Sequence, residues 1–150
     1  MVASHRPLAS HRPAGRIAAV TRALASFFVA LVFLVILDGV WFSLVGHDFY
    51  HARISALLQD DPVWNVVILF YLIHAAGIAV FAVPAAMRTG TWLSAAGCGA
   101  LYGICVYAAL DLTNLATLRG WPATVTVVDL VRGAVTTAFA TVTALALVER

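Results

Sequence analysis

ALASFFVALVFLVILDGVWFSLVG, residues 23–46, decides the fold. As a helix rising 1.5 Å per residue, this run is long enough to cross about 30 Å of hydrocarbon, and it carries a single charge, Asp38. A cleaved signal peptide is the competing reading, because a basic stretch precedes the run. The apolar stretch is too long for that and no A-x-A-like site follows, so it reads as a retained transmembrane helix.

The composition of the whole chain agrees. Of 150 residues 63% are hydrophobic and 11% charged, where average soluble domains have about 45–50% and about 25%. Nine arginines, no lysine and seven acids cannot coat a globule of this size in water, so most of its surface faces lipid. Disorder of the whole chain is excluded by the hydrophobicity. Nucleic-acid binding is excluded by a net charge of only +2 spread over the full length.

Three further spans follow. From Pro62 to Met87 there is no Asp, Glu, Lys or Arg, and VWNVVILFYLIHAAGIAVFAVPAAM reads as a span broken near Pro84. The third begins near Trp92 and runs past Asp111 toward the breakers Gly120 and Pro122; the fourth ends at Glu149. The expected spans are about 23–45, 64–86, 92–114 and 125–148, and their short connections predict an all-α, antiparallel four-helix membrane bundle over residues 23–150. Residues 1–22, with ASHRP at Ala3–Pro7 and again at Ala9–Pro13, read as a disordered arginine-bearing tail attracted to anionic lipid. Its His5 and His11 lack partners for a metal.

Arg6, Arg12, Arg16, Arg22, Arg88 and Arg150 fall on one side of these spans, and Arg53 and Arg119 on the other together with Asp48, Asp60 and Asp61. The positive-inside rule then puts both termini in the cytoplasm. Trp64, Trp92 and Trp121 fall at span ends, where indole rings favour the interface.

Charges within the spans are costly and usually face a bundle interior, so their depth is informative. Counting residues from the boundaries places Asp38, Asp111 and Asp129 in the outer third, with Arg132 at about the depth of Asp38 and Asn114 one turn beyond Asp111. Asp38 and Trp41, Asp111 and Asn114, and Asp129 and Arg132 are each three residues apart, so each pair shares a helix face. The expectation is one polar cluster near the outer face, with Asp38 and Arg132 paired between the first and fourth spans. Exchanging those two residues should then restore part of what Asp38→Asn loses. Asp111, Asn114 and Asp129 have a second reading as groups touching interfacial water, with Arg132 snorkelling outward. Tyr71, His74 and Tyr107 are positioned to line the inner wall of the same cavity.

Other features point inward. Cys98 and Cys105 lie about 10 Å apart on one helix, too far to bridge, and read as packing residues. Ala95, Gly99 and Gly103 let a neighbouring helix approach, within the bundle rather than in a dimer, although oligomerisation stays open. Thr136, Thr137, Thr141 and Thr143 can return hydrogen bonds to the backbone. No cofactor is implied and no metal set is visible around His74, a hard-cation site from Asp38, Asp111 and Asp129 being the one alternative. No nucleophile elbow, phosphate loop or zinc-protease motif occurs.

The stretch YAALDLTNLATLRGWP, Tyr107–Pro122, resembles the core motif of the domain-of-unknown-function family 2177, Y-x-x-Y-D-L-T-N-L-A-T-L-K-x-W-P. The resemblance extends to Leu37–Trp41, Phe49-Tyr50, Phe70–Leu72 and Val128-Asp129 before Gly133, and covers about Ser26 to Val148. It implies a small bacterial four-helix inner-membrane protein with Asp38, Trp41, Asp111, Asn114 and Asp129 at its characteristic positions. It implies no activity. Leu110 stands where the motif has its second Tyr, and Arg132 where Asp-x-x-Trp-Gly would place a Trp. An Asp38–Arg132 pair is therefore this chain's own feature.

The functional expectation is a non-enzymatic membrane protein whose outer polar pocket binds a small or amphipathic ligand, a membrane partner or a second copy. A proton-linked carrier titrating Asp38 or Asp111 and a lipid-modifying enzyme with a carboxylate base are the alternatives.

Overall fold

Proline's missing N–H is no loss in a first helical turn, and the first helix, α1, opens on a proline and runs Pro13–Trp41. The structure is a computed structural model and describes residues 13–149. The ASHRP repeat with His5 and His11 lies outside them. The expected disordered tail is thus helical from Pro13 onward, with Arg16 and Arg22 exposed along it. Helix nucleation is the costly step, and the apolar span supplies it; the Arg, Ala and Ile residues ahead of Ala23 then extend the helix at little cost.

At the other end the helical run continues past the expected limit, although α1 itself ends at Trp41. A π-helical turn, Phe42–Gly46, leads into α2, His47–Ile54, and a 3₁₀ turn, Ser55–Leu57. Gly15–Leu57 is one helical run of 43 residues, about 65 Å long at 1.5 Å per residue and roughly twice the hydrocarbon thickness. The next span comprises α3, Trp64–Gly77, a second π turn, Ile78–Ala82, and α4, Val83–Met87. Pro84 does not break this span, contrary to expectation. The widened turn just before it takes up the clash and the missing donor that a proline brings into a helix. Helix α5, Trp92–Thr117, is capped by the Thr91 side chain, which accepts from the Ser94 N–H at 3.1 Å; α6 runs Ala123–Val148. Gly90 and Gly120, at φ of 63° and 81°, close the two short connections.

Four helical segments are long and apolar enough to cross a membrane, and no strand occurs among the described residues. Neighbouring helices pair residues in opposite sequence order. On α5 and α6, Gly99 meets Thr141 and Gly103 meets Gly133, while the Asp111 carbonyl accepts from Thr126. On α3 and α5, Phe70 packs edge-on to Tyr107, and His74 to Tyr102. The interior is built from small residues, among them Ala30, Ala75, Ala95, Ala140 and Ala144, around Leu34, Ile78 and Leu145. Large apolar residues such as Phe28, Val131 and Phe139 face outward. That inversion suits lipid, where close backbone packing replaces the hydrophobic drive that water supplies.

The small-residue stripe of α5 lies inside the bundle. A Cβ on Gly99 would stand 2.7 Å from the Thr137 carbonyl oxygen, and one on Gly103 would collide with the Gly133 carbonyl. Gly97, two residues away, has open space around it. Gly103→Ala should therefore lower stability by about 1–3 kcal/mol, the usual range for overpacking, and Gly97→Ala should change it little. Thermal unfolding in detergent checks this; equal midpoints for the two variants would show that the α5–α6 contact is looser than described.

Candidate functional site

An arginine in a membrane helix needs acceptors for its guanidinium, and Arg132 of α6 finds them on two helices. Its Nη1 donates to Asp38 Oδ1 of α1 at 2.5 Å and its Nε to Asp129 Oδ1, one turn back on α6, at 3.3 Å. Two hydroxyls complete the carboxylates. Tyr71 of α3 donates to Asp38 Oδ2 at 3.0 Å, and Tyr50 of α2 donates to Asp129 Oδ1. The guanidinium carbon lies 5.0 Å from the Tyr107 ring centre and 5.6 Å from that of Phe42, within cation–π range. The ion pair itself is enclosed: Asp38 is 3% exposed, and the Arg132 side chain 11%.

Local sequence explains the placement. The π turn at Phe42–Gly46 inserts one extra residue into the helical register, so α2 presents Tyr50 to the bundle. Gly46 makes room there, because a Cβ on it would sit 2.8 Å from the Trp41 indole. Gly133 does the same for Tyr107, whose ring occupies the place of a Cβ. The buried cluster of Tyr50, Ile54 and Val125, flanked by Phe49 and Trp121, fastens α2 to the connection between α5 and α6.

Asp38, Asp129 and Arg132 come together as the depth count expects, with Tyr71 and Tyr107 beside them, and the Asp38–Arg132 pair is present, whereas Asp111, expected in the same cluster, makes no hydrogen bond to it. His74 sits beside them rather than among them: its Nε2 is hydrogen-bonded to Thr137 Oγ1 at 3.0 Å, its ring packs against Phe70, Tyr102 and Tyr107, and its Nδ1 is buried without a partner. Trp41 is half-buried, its indole N–H also unpartnered. Asp111 is 1% exposed, and neither carboxylate oxygen has a partner among the described residues. Half-buried Asn114 lies a turn beyond it and makes no side-chain hydrogen bond among those residues. The guanidinium already fills the place between Asp38 and Asp129 that a cation would need. Thr136, Thr141 and Thr143 bond back to the backbone as expected, whereas Thr137 serves His74.

Sequence reasoning passed over Tyr50 and Phe42 as site residues. Both lie where the first span was taken to end, and only the Phe49-Tyr50 element of the family motif pointed there.

Three cavities meet at Arg132. One of about 550 Å³ lies between α1 and α6, lined by Leu37, Trp41, Leu44, Val127, Val131 and Val135; one of about 600 Å³ lies between α3 and α5, reaching Asp38 past Val66, Phe70, Tyr107 and Leu110. Both are apolar and walled largely by outward-facing side chains. The third, about 490 Å³, is the most polar of the three and sits at the end of the bundle where the loop after Leu57 lies, between Tyr50, His51, Gln59, Asp60 and Asp129.

A helical chain with four such spans and a buried ionic cluster between them is an integral membrane protein. It belongs to the family described as "Predicted membrane protein (DUF2177)", whose model matches residues 23–146. No curated protein and no solved structure matches the chain.

Because Arg132 holds both carboxylates, exchanging it with Asp38 would set an aspartate one turn from Asp129. The rescue that a simple pair would give should therefore fail. Asp38→Asn leaves Arg132 bound to Asp129 and should cost about 1–3 kcal/mol; Arg132→Leu strands two buried carboxylates and should cost about 3–5 kcal/mol. Monodispersity and thermal midpoint in detergent rank the three, and recovery in the exchange variant would count against the shared guanidinium.

Proposed function

We propose that this chain binds an amphipathic, lipid-like ligand through the outer-leaflet face of a bacterial cytoplasmic membrane, with both termini in the cytoplasm. The observation that carries the reading is the meeting of two apolar grooves and one polar mouth at a single guanidinium. Ligand sites of about 300–1,000 Å³ combine apolar walls with a few convergent polar groups, and each of the three cavities falls in that range. Grooves open between membrane helices stand against acyl chains, while the polar mouth lies among loop residues at head-group level. A ligand with a polar head and long chains meets both environments at once. The orientation follows from the arginine asymmetry, which puts this mouth on the side away from Arg16, Arg22 and Arg88.

Val131→Trp and Leu110→Trp would fill the two grooves without touching the ionic cluster, since both side chains are exposed. Mass spectrometry of lipids copurifying with the protein should show an enriched amphiphile that falls several-fold in these variants. An unchanged lipid complement would sink the proposal.

Asp111 supports a second reading, a proton-linked carrier: a carboxylate this deeply buried with no partner is often functional rather than structural. In proteoliposomes that reading requires pH-dependent solute flux abolished by Asp111→Asn. Flux indifferent to the substitution removes it.

A further inference from the structure

The polar mouth carries more negative than positive charge. Among its lining residues Asp129 and Asp60 bear two charges against one on Arg132, and Tyr50, His47 and His51 are the remaining titratable side chains lining the cavity. Both hydrogen bonds made to Asp129 fall on Oδ1. Its Oδ2 takes none and, unlike the two Asp111 oxygens, is not sealed from the cavity. Arg132 lines the same mouth. The mouth therefore presents an acceptor with negative charge and, beside it, a guanidinium.

We propose that the ligand is a phospholipid whose head group ends in a primary ammonium. This rests on the lipid-binding reading above. The ammonium meets Asp129 Oδ2 and the Asp60 carboxylate, the phosphodiester lies at the Arg132 guanidinium, and the chains enter the apolar grooves. Opposite charges in the ligand then follow the order of opposite charges in the wall, and the ammonium N–H groups supply donors that the carboxylates lack. A head group carrying phosphate without an amine adds negative charge to a site already negative. A trimethylated amine keeps the charge but has no donor to offer.

The test is a titration of the purified full chain in detergent with three dioleoyl phospholipids, bearing ethanolamine, choline or glycerol heads, followed by native mass spectrometry. The ethanolamine lipid should bind tighter than either other by about tenfold or more, the lower end of what a hydrogen bond between charged groups supplies. Asp129→Asn should bring the three within about twofold of one another while lipid is still bound, and Asp60→Asn, on the exposed loop and away from the folded cluster, should narrow the gap in the same direction. Equal binding of the three lipids by the unaltered chain overturns the ammonium assignment and leaves the lipid-binding reading standing. A preference for the glycerol lipid overturns the assignment outright. If no lipid binds, both proposals fall together.

Discussion

An arginine held inside a lipid bilayer imposes more on a protein than any single apolar contact does, because every acceptor it needs must come from the chain. Arg132 takes one carboxylate from α1 and one from its own helix, and the second lone pairs of those carboxylates are met by hydroxyls from α2 and α3. Three transmembrane segments and the extramembrane extension of the first are thereby tied to one guanidinium. The remaining segment, α5, takes part through the face of Tyr107, which reaches the charge because Gly133 has no side chain to keep it away. The small-residue seam between α5 and α6 is thus a condition of the cluster as well as a packing device.

How much of this is legible in the sequence depends on which distance is asked for. Depth along a helix is nearly a constant of the backbone, so counting residues from Ala23 and back from Val148 brings Asp38, Asp129 and Arg132 to one level, and their association follows from the cost of leaving them apart. Azimuth is another matter. A π turn adds one residue to the register, and nothing in the apolar run Phe42–Gly46 marks it, so the rotation that aims Tyr50 at Asp129 is invisible to a period of 3.6. The same device at Ile78–Ala82 lets the second span pass Pro84 without a break. His74 lies on the expected face yet bonds to Thr137, because its partner is decided by the neighbour across the seam and not by its own helix.

The cluster combines two kinds of residue. Asp38 and Asp129 stand at positions that the family motif shares, while Arg132 replaces the tryptophan expected there. In this chain the Arg132 guanidinium adds a cationic group to a mouth that also holds Asp60 and Asp129.

The separation of Asp38 and Arg132 by 94 residues has a consequence for how the protein is made. At about 5–20 residues per second, the first segment enters the membrane with its carboxylate unmatched for several seconds before the arginine is synthesised at all. During that interval Tyr71, 33 residues downstream of Asp38, is the earliest partner on offer. Tyr71 is thus synthesised in time to meet Asp38 before Arg132 exists, and the last helix closes a bond whose two ends lie 94 residues apart.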